Sequence, residues 1–343
     1  MMKHNNNFGL LRLILATLVL VSHSSEMIDG NRSRELLMQF GGRMTFGEWA
    51  VDGFFIVSGY LVLKSFENSA SVFSYLRKRA LRIYPGFIFC AVIITAFSPL
   101  VGSLVLQWSW KDYVRALISI STLSLPGSTE AYPQLPFHSL NGSAWSITYE
   151  FRCYLMVIFL GLASLYRWRL FFALFTAALL VSHEASWPTY VGPLAKLIGY
   201  PQLFIRMAGM FCVGSCFYVF RDDIRFNKWF AIAATIGLVG SVFLPFQESV
   251  FAIFGGYLIF WFALCFQSET LSRINNENDI SYGTYLYAWP ISGYLIYFFS
   301  IGSPLLLFSI ALPLSFMAGF LSWHLIEKHF LKTKLHASQA ATT

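Results

Sequence analysis

The first apolar stretch of the chain, Phe8 to Val21, is broken by Arg12 and followed at once by His23. An ionisable side chain inside a membrane span is expensive, so its presence points to function by default. The two residues lie eleven positions apart. At about 100° per residue, eleven steps return to within roughly 20° of the same helix face and advance about 16 Å along it. One helix face therefore offers a fixed cation at one depth and an imidazole at another. The imidazole suits general-base or acyl-carrier chemistry on a hydroxyl. The plainer alternative is an arginine snorkelling to one interface and a histidine among the opposite headgroups.

Three further segments carry chemistry. Asp52-Gly53-Phe54-Phe55-Ile56-Val57-Ser58-Gly59-Tyr60-Leu61 opens a second apolar run, with a charge at Asp52 and two small residues that permit close helix contact. Arg77-Lys78-Arg79-Ala80-Leu81-Arg82-Ile83-Tyr84-Pro85 clusters four basic residues at the mouth of a third. That is either a topology signal or a phosphate grip, since Arg79 and Arg82 are helix neighbours and guanidinium meets phosphate bidentately. Pro85 reads as an early helix position. Asn141-Gly142-Ser143-Ala144-Trp145-Ser146-Ile147-Thr148-Tyr149-Glu150 leads into a fourth run and delivers Glu150 just inside it. A buried carboxylate needs a partner. Arg152 faces elsewhere, so the partner is expected from another helix, and His23 lies at the same predicted depth.

The elements that must position these residues are membrane helices. Apolar residues make up 56% of the 343 and charged residues only 12%, about half the charged share of a soluble protein. Mean hydropathy is +0.59. Runs long enough for a hydrocarbon core of about 30 Å are predicted at Phe8–Val21 (extending through His23), Phe46–Leu63, Ile83–Leu106, Tyr149–Leu165, Leu170–Ser182, Leu203–Phe220, Trp229–Leu244, Val250–Phe266, Tyr282–Phe299 and Pro304–Leu325. Leu170–Ser182 is short. The segment Gln107–Thr148, with Trp108, Trp110, Pro126, Gly127, Pro133 and Pro136, reads as an interfacial helix plus a loop. The expected fold is all-α, a polytopic bundle of about ten transmembrane helices over residues 1–335, with a cytoplasmic, disordered tail at 336–343.

The net charge of +7 does not indicate nucleic acid, because the basic residues sit between apolar runs, where charge sets topology. With ten spans, the segments holding Lys3, Lys64, Arg77, Lys78, Arg79, Arg82, Arg167, Arg169, Arg221, Arg225, Lys228, Arg273, Lys328, Lys332 and Lys334 share one side. The other side holds Arg32, Arg34, Arg43, Lys111, Arg115, Lys196 and Arg206. That is fifteen of the 24 basic residues against seven, which puts both termini in the cytoplasm. The N-terminal run, interrupted by Arg12 and followed by no small-residue cleavage site, reads as an uncleaved helix. Cys90, Cys153, Cys212, Cys216 and Cys265 lie in apolar stretches without metal-ligand spacing and read as packing residues. No metal is expected.

Taken in order, six motifs resemble a known family. They are Arg-x10-His, Phe-Phe-x-x-Ser-Gly-Tyr-Leu, Arg-x-x-Arg-Ile-x-Pro, Asn-Gly-Ser-x-Trp-Ser-x-x-Tyr-Glu, Ser281-Tyr282-Gly283-Thr284-Tyr285-Leu286-Tyr287, and Ile326-Glu327-Lys328. The chain is similar over almost its whole length to membrane-bound acyltransferase family 3, which includes bacterial O-acetyltransferases of O-antigen, enterobacterial common antigen, exopolysaccharide and Nod factor. The resemblance implies acetyl-CoA, or a related acyl-CoA, as cosubstrate from the cytoplasm. Arg79 and Arg82 would hold its phosphates, with Tyr84 beside them and Arg12 along the pantetheine path. His23 would act as base or carry the acyl group, and Glu150 would orient it or take its proton. Asp52, Ser58, Asn141, Ser143 and Trp145 are expected at the acceptor. The implied acceptor is a sugar hydroxyl of a surface polysaccharide, or of its lipid-linked precursor, at the inner membrane of a bacterium. One departure stands out. Many members carry a histidine where this chain has Ala288, before Trp289-Pro290, so no role of that histidine transfers.

Other polar residues rank lower. His138 and His183 read as solvated loop residues and His324 as interfacial. Tyr149, Tyr154 and Trp145 could form a sugar platform, though packing is the simpler reading in a chain with 18% aromatics. The rival class is a transporter with an Arg/His/Glu relay, weakened by the lack of an internal repeat. A scaffold subunit is a further alternative. No fused soluble domain is visible, so the chain is expected to complete the transfer alone.

Overall fold

A chain this apolar must satisfy its backbone hydrogen bonds internally, which helix does without partners. The computed structural model describes residues 6–125, 131–185, 199–266 and 268–331. Among them there is helix and no strand, in line with the all-α expectation. Lys3, Pro126, Gly127, Lys196, Lys332, Lys334 and the tail 336–343 lie outside the described residues.

The helices that matter here are α1 Phe8–Asp29, α2 Phe46–Glu67, α3 Val72–Phe97, α4 Trp110–Ser121, α5 Trp145–Leu162, α6 Arg169–Glu184, α7 Pro201–Val219, α8 Lys228–Gly240, α9 Gln247–Cys265, α10 Ser281–Phe299 and α11 Pro304–Leu331. Six are long and apolar enough to cross a membrane: α1, α2, α3 (to Val101), α7, α9 and α11. The other four predicted spans are helical but differ physically. Helix α6 has 16 residues and α8 has 13. Helix α5 carries Glu150 and Arg152, and α10 is rich in Tyr, Ser and Thr.

One boundary near the basic cluster differs from expectation. Helix α3 begins at Val72, eleven residues before the predicted Ile83, so the Arg77–Arg82 run lies within it. Pro85 is consequently a helix-interior proline, which membrane helices accommodate when other groups serve the freed carbonyl. Helix α4 matches the interfacial reading. Ser109 and Asp112 form its capping box, and Trp110, Tyr113, Val114, Leu117 and Ile118 form an exposed apolar stripe at helical spacing.

The described chain divides into two compact units. The first comprises Met1–Leu15, Leu36–Leu76 and Tyr149–Ile274; the second Ala16–Glu35, Arg77–Thr148 and Asn275–Thr343. In the first, α2 and α7 touch backbone to backbone. A Cβ on Gly59 would meet the Phe211 carbonyl oxygen at 1.9 Å, and one on Gly214 the Ile56 oxygen at 1.8 Å. Only glycine allows that approach. Phe8, Tyr60, Phe217 and Phe260 stack into one aromatic core. Asn7 ties the start of α1 to the end of α9, its Nδ2 donating to Phe262 O at 3.1 Å and Phe266 O at 2.5 Å.

In the second unit, Leu20 packs with Ala288 and Ala311. Met27 packs with Trp289, Ile296, Ile301 and Leu307. The second half of α1 is thus held against α10 and α11. All five cysteines are unbonded; Cys265 is exposed rather than packed.

Candidate functional site

His23 sits in the last third of α1, its side chain 19% exposed. Its Nδ1 lies 3.0 Å from Glu26 Oε2, one turn on along the same helix. The other carboxylate oxygen, Oε1, accepts from Arg32 Nε at 3.2 Å. The edge of the ring is closed by Trp289, edge-on at 4.9 Å between centroids. Trp289 is itself fixed, its Nε1 donating to Ser139 O at 3.1 Å. Ser22, Ser24 and Ser25 around His23 are buried; Ser24 Oγ donates to Leu20 O at 2.7 Å and Ser25 Oγ to Ser22 O at 3.2 Å.

Arg32 reaches Glu26 because the chain turns back after α1. Gly30, at φ +70, donates its N–H to Glu26 O at 2.8 Å and ends the helix in the left-handed conformation that glycine favours. A Cβ there would lie 2.6 Å from Pro136 Cβ. Arg34 grips Asp29 with a two-nitrogen fork, Nε to Oδ2 at 2.6 Å and Nη2 to Oδ1. The turn is closed at both ends.

Glu150, in α5 of the first unit, is held differently. Its Oε1 accepts from Ser58 Oγ at 2.6 Å and from Tyr154 Oη at 2.7 Å. Ser58 lies on another helix, as expected of the partner, but both donors are neutral hydroxyls. The carboxylate bonded to His23 within its own unit is Glu26.

Asp52 is fully buried. Arg206 of α7 donates to it twice, Nε to Oδ1 at 3.3 Å and Nη2 to Oδ2 at 3.0 Å. Glu48 and Glu248 approach the same guanidinium at 3.9 and 3.5 Å, and His183 bonds Glu248. One expectation changes here. His183 is three-quarters buried against Glu248 and is not a solvated loop residue. Asp52, enclosed in this network, has no surface for an acceptor sugar.

The Arg77–Arg82 run divides by environment. Arg77 is exposed and Arg79 part-buried. Arg82 Nη2 lies 2.5 Å from Asp279 Oδ2, with the guanidinium 5.9 Å from the centre of the Tyr282 ring. Asp279 Oδ1 accepts from Ser281 Oγ at 2.5 Å and Asn275 Nδ2 at 3.1 Å. Arg82 therefore already has a carboxylate where a phosphate was expected. Tyr84 Oη donates to Ser121 O at 2.8 Å, tying α3 to α4. Arg12 is part-buried on α1.

Of the residues expected at the acceptor, Asn141 donates to Leu286 O at 2.8 Å, and Ser143 Oγ donates to Asn141 Oδ1 at 2.7 Å. Tyr285 Oη donates to Ser143 O at 2.6 Å. These join the loop before α5 to α10. Trp145 is 40% exposed. Among the described residues, no group of three or more His, Cys, Asp or Glu side chains is placed to hold a metal ion.

A family described as an acyltransferase domain matches residues 5–324, nearly the whole chain. The chain belongs to this acyltransferase family. It is 27% identical over 340 residues to a protein named O-acetyl transferase from Shigella phage Sf6, covering 96% of this chain and 97% of that one. It is 25% identical over 366 residues to Nodulation protein 10 of Rhizobium leguminosarum bv. viciae, covering 96% and 94%. No solved structure matches.

In this acyltransferase the sequence reading located His23 but not the groups that hold it. Glu26 was visible as an i,i+3 neighbour of His23, a spacing that places two side chains together on a helix. Arg32 was visible only as a loop cation. Asp279 had a weaker signal, standing two residues before the Ser281 motif. Nothing local announced Arg206 as the partner of Asp52, 154 residues away.

Proposed function

We propose that this acyltransferase moves an acetyl group from acetyl-CoA to a sugar hydroxyl of a bacterial surface polysaccharide, such as O-antigen, or of its lipid-linked precursor. It does so as a multi-pass protein of the inner membrane, with about ten spans and both termini cytoplasmic. The observation that carries the reading is His23, part-buried on a helix long and apolar enough to span a membrane, with Nδ1 on a carboxylate and Nε2 left for chemistry. That is the arrangement of a general base for a hydroxyl nucleophile. The full-length likeness to a protein named O-acetyl transferase supports the acetyl group and the oxygen acceptor.

Arg79 is the principal phosphate contact of the donor in this reading, with the neighbouring Arg77 and Lys78 adding positive charge. Arg82 and Tyr84 shape that mouth, and Arg12 lines the way toward His23. Part-exposed arginines on the first turns of α3 suit a polyphosphate, which guanidinium binds bidentately. The CoA thioester supplies an activated acyl carbon. On the acceptor side, Trp145 has an exposed face for a sugar ring, and Asn141 and Ser143 fix the loop that leads to it; Ser58 serves through its bond to Glu150. Glu150 contributes negative charge in the interior.

The test uses purified full-length protein in detergent or nanodiscs. Release of free thiol from acetyl-CoA is measured with and without isolated surface glycan. Acetylation of the glycan in cells with and without the gene is followed by NMR or mass spectrometry. The expected result is acceptor-dependent thiol release and an acetyl signal, both lost in His23→Ala. A wild-type protein that neither binds nor consumes acyl-CoA overturns the reading.

A further inference from the structure

We propose that Glu26 is the positioning residue for His23, and that Arg32 holds Glu26 in place for that task. The inference rests on the acyl-transfer reading above. An ionised carboxylate only accepts hydrogen bonds, so Glu26 Oε2 at 3.0 Å fixes the proton of the neutral imidazole on Nδ1. The lone pair is then on Nε2, and among the described residues no protein group is bonded there.

The competing explanation is an incidental surface pair, since exposed i,i+3 contacts contribute little. Two features argue against it. The imidazole is bounded on its other side by Trp289, which cannot swing while its indole N–H is bonded to Ser139 O. The carboxylate is bounded by Arg32, which returns over the end of α1 on a turn fixed by Gly30 against Pro136 and by the Asp29–Arg34 fork. Three consecutive groups, Arg32, Glu26 and His23, thus have their orientations set from outside the pair itself.

The chemistry follows from that order. The acceptor hydroxyl oxygen attacks the carbonyl carbon of an acyl thioester, and its proton passes to His23 Nε2. The new C–O bond forms, the C–S bond breaks, and the departing thiolate takes the proton back from Nε2. Between the two transfers the ring is an imidazolium, and Glu26 faces that positive charge. Arg32 leaves Glu26 ionised and prevents it from rotating away.

The experiment compares kcat and KM for acetyl-CoA among wild type, His23→Ala, Glu26→Gln, Glu26→Asp and Arg32→Gln, with monodispersity and thermal unfolding recorded for each. Glu26→Gln is expected to lower kcat by on the order of 10- to 100-fold with KM within about twofold. Glu26→Asp is expected to recover part of that loss. Arg32→Gln, at a side chain 46% exposed, is expected to fold normally and to lower kcat by roughly three- to tenfold. If His23→Ala is inactive while Glu26→Gln keeps kcat within about twofold of wild type, the proposal is overturned and the acyl-transfer reading survives. If Glu26→Gln fails to fold, Arg32→Gln decides, and an unchanged kcat there overturns the proposal. A fully active His23→Ala overturns the acyl-transfer reading itself.

Discussion

Asn141 donates its side-chain amide to the Leu286 carbonyl at 2.8 Å, the oxygen four residues before Pro290. A proline in a helix removes the N–H that would have served that carbonyl. Pro290 lies inside α10, so the orphaned oxygen is met by a residue from a loop 145 positions away. Asn141 has a structural duty that its motif alone does not reveal.

Asn141→Ala is therefore expected to destabilise the protein by about 1–3 kcal/mol, because the buried Leu286 carbonyl keeps only the weak Cys90 Sγ donor at 3.7 Å. The same substitution in a Pro290→Ala background should cost much less, because the restored backbone N–H can serve Leu286. Thermal or denaturant unfolding of the four proteins in detergent gives the coupling. Equal losses in both backgrounds would show that Asn141 acts in some other way.

The Asp52–Arg206 pair makes a second prediction. Removing one partner of a buried ion pair leaves the other charge uncompensated and costs roughly 3–5 kcal/mol. Arg206→Met strands the fully buried Asp52 together with Glu48 and Glu248, so it should be the harsher change. Asp52→Asn leaves Arg206 with two carboxylates and should be milder. The double variant Asp52→Asn/Arg206→Met should be more stable than Arg206→Met alone. A double variant no better than Arg206→Met would sink the pairing. Expression level and unfolding temperature report it.

Arg82 and Asp279 give a third. If the ion pair is the main duty of Arg82, Asp279→Asn and Arg82→Gln should lower the unfolding temperature alike. The exchange Arg82→Asp/Asp279→Arg should recover part of the loss. Arg79→Gln should raise KM for acetyl-CoA by about tenfold, the scale of one lost charged contact. An Arg82→Gln protein of normal stability but raised KM would return Arg82 to the donor site.

These cases show where the sequence was readable. Helix α10 follows its apolar run closely, whereas α1 continues past His23 to Asp29 because polar residues also form helix once the apolar run ends. Helix α3 started eleven residues early because charged residues also form helix once the chain leaves the hydrocarbon. Arg79 and Arg82 read alike as cations in one motif, and the carboxylate that Arg82 meets, Asp279, is distant in sequence. Arg206 falls inside the predicted run Leu203–Phe220, but hydropathy does not reveal Asp52, the partner that makes its buried charge tolerable. Glu26 was legible in principle, since i,i+3 spacing is local. The expected pairing of Glu150 with His23 rests on predicted depth alone, which carries no information on the local Glu26 contact.

Glu150 supplies the last prediction, and it separates a structural role from a chemical one. Its Oε1 accepts two short hydrogen bonds, from Ser58 and Tyr154. Glu150→Gln keeps a carbonyl oxygen able to accept both, so the unfolding free energy should change by less than about 1 kcal/mol. Ser58→Ala with Tyr154→Phe removes both donors while leaving the charge, and should cost more than either change alone because the half-buried carboxylate loses its solvation. If Glu150 contributes charge to acyl transfer, Glu150→Gln should still lower kcat by about tenfold or more. Unfolding in detergent and thiol release from acetyl-CoA, measured on the same preparations, place the residue. A Glu150→Gln protein with wild-type kcat makes it a packing carboxylate, whereas one that is stable but slow ties its negative charge to the reaction.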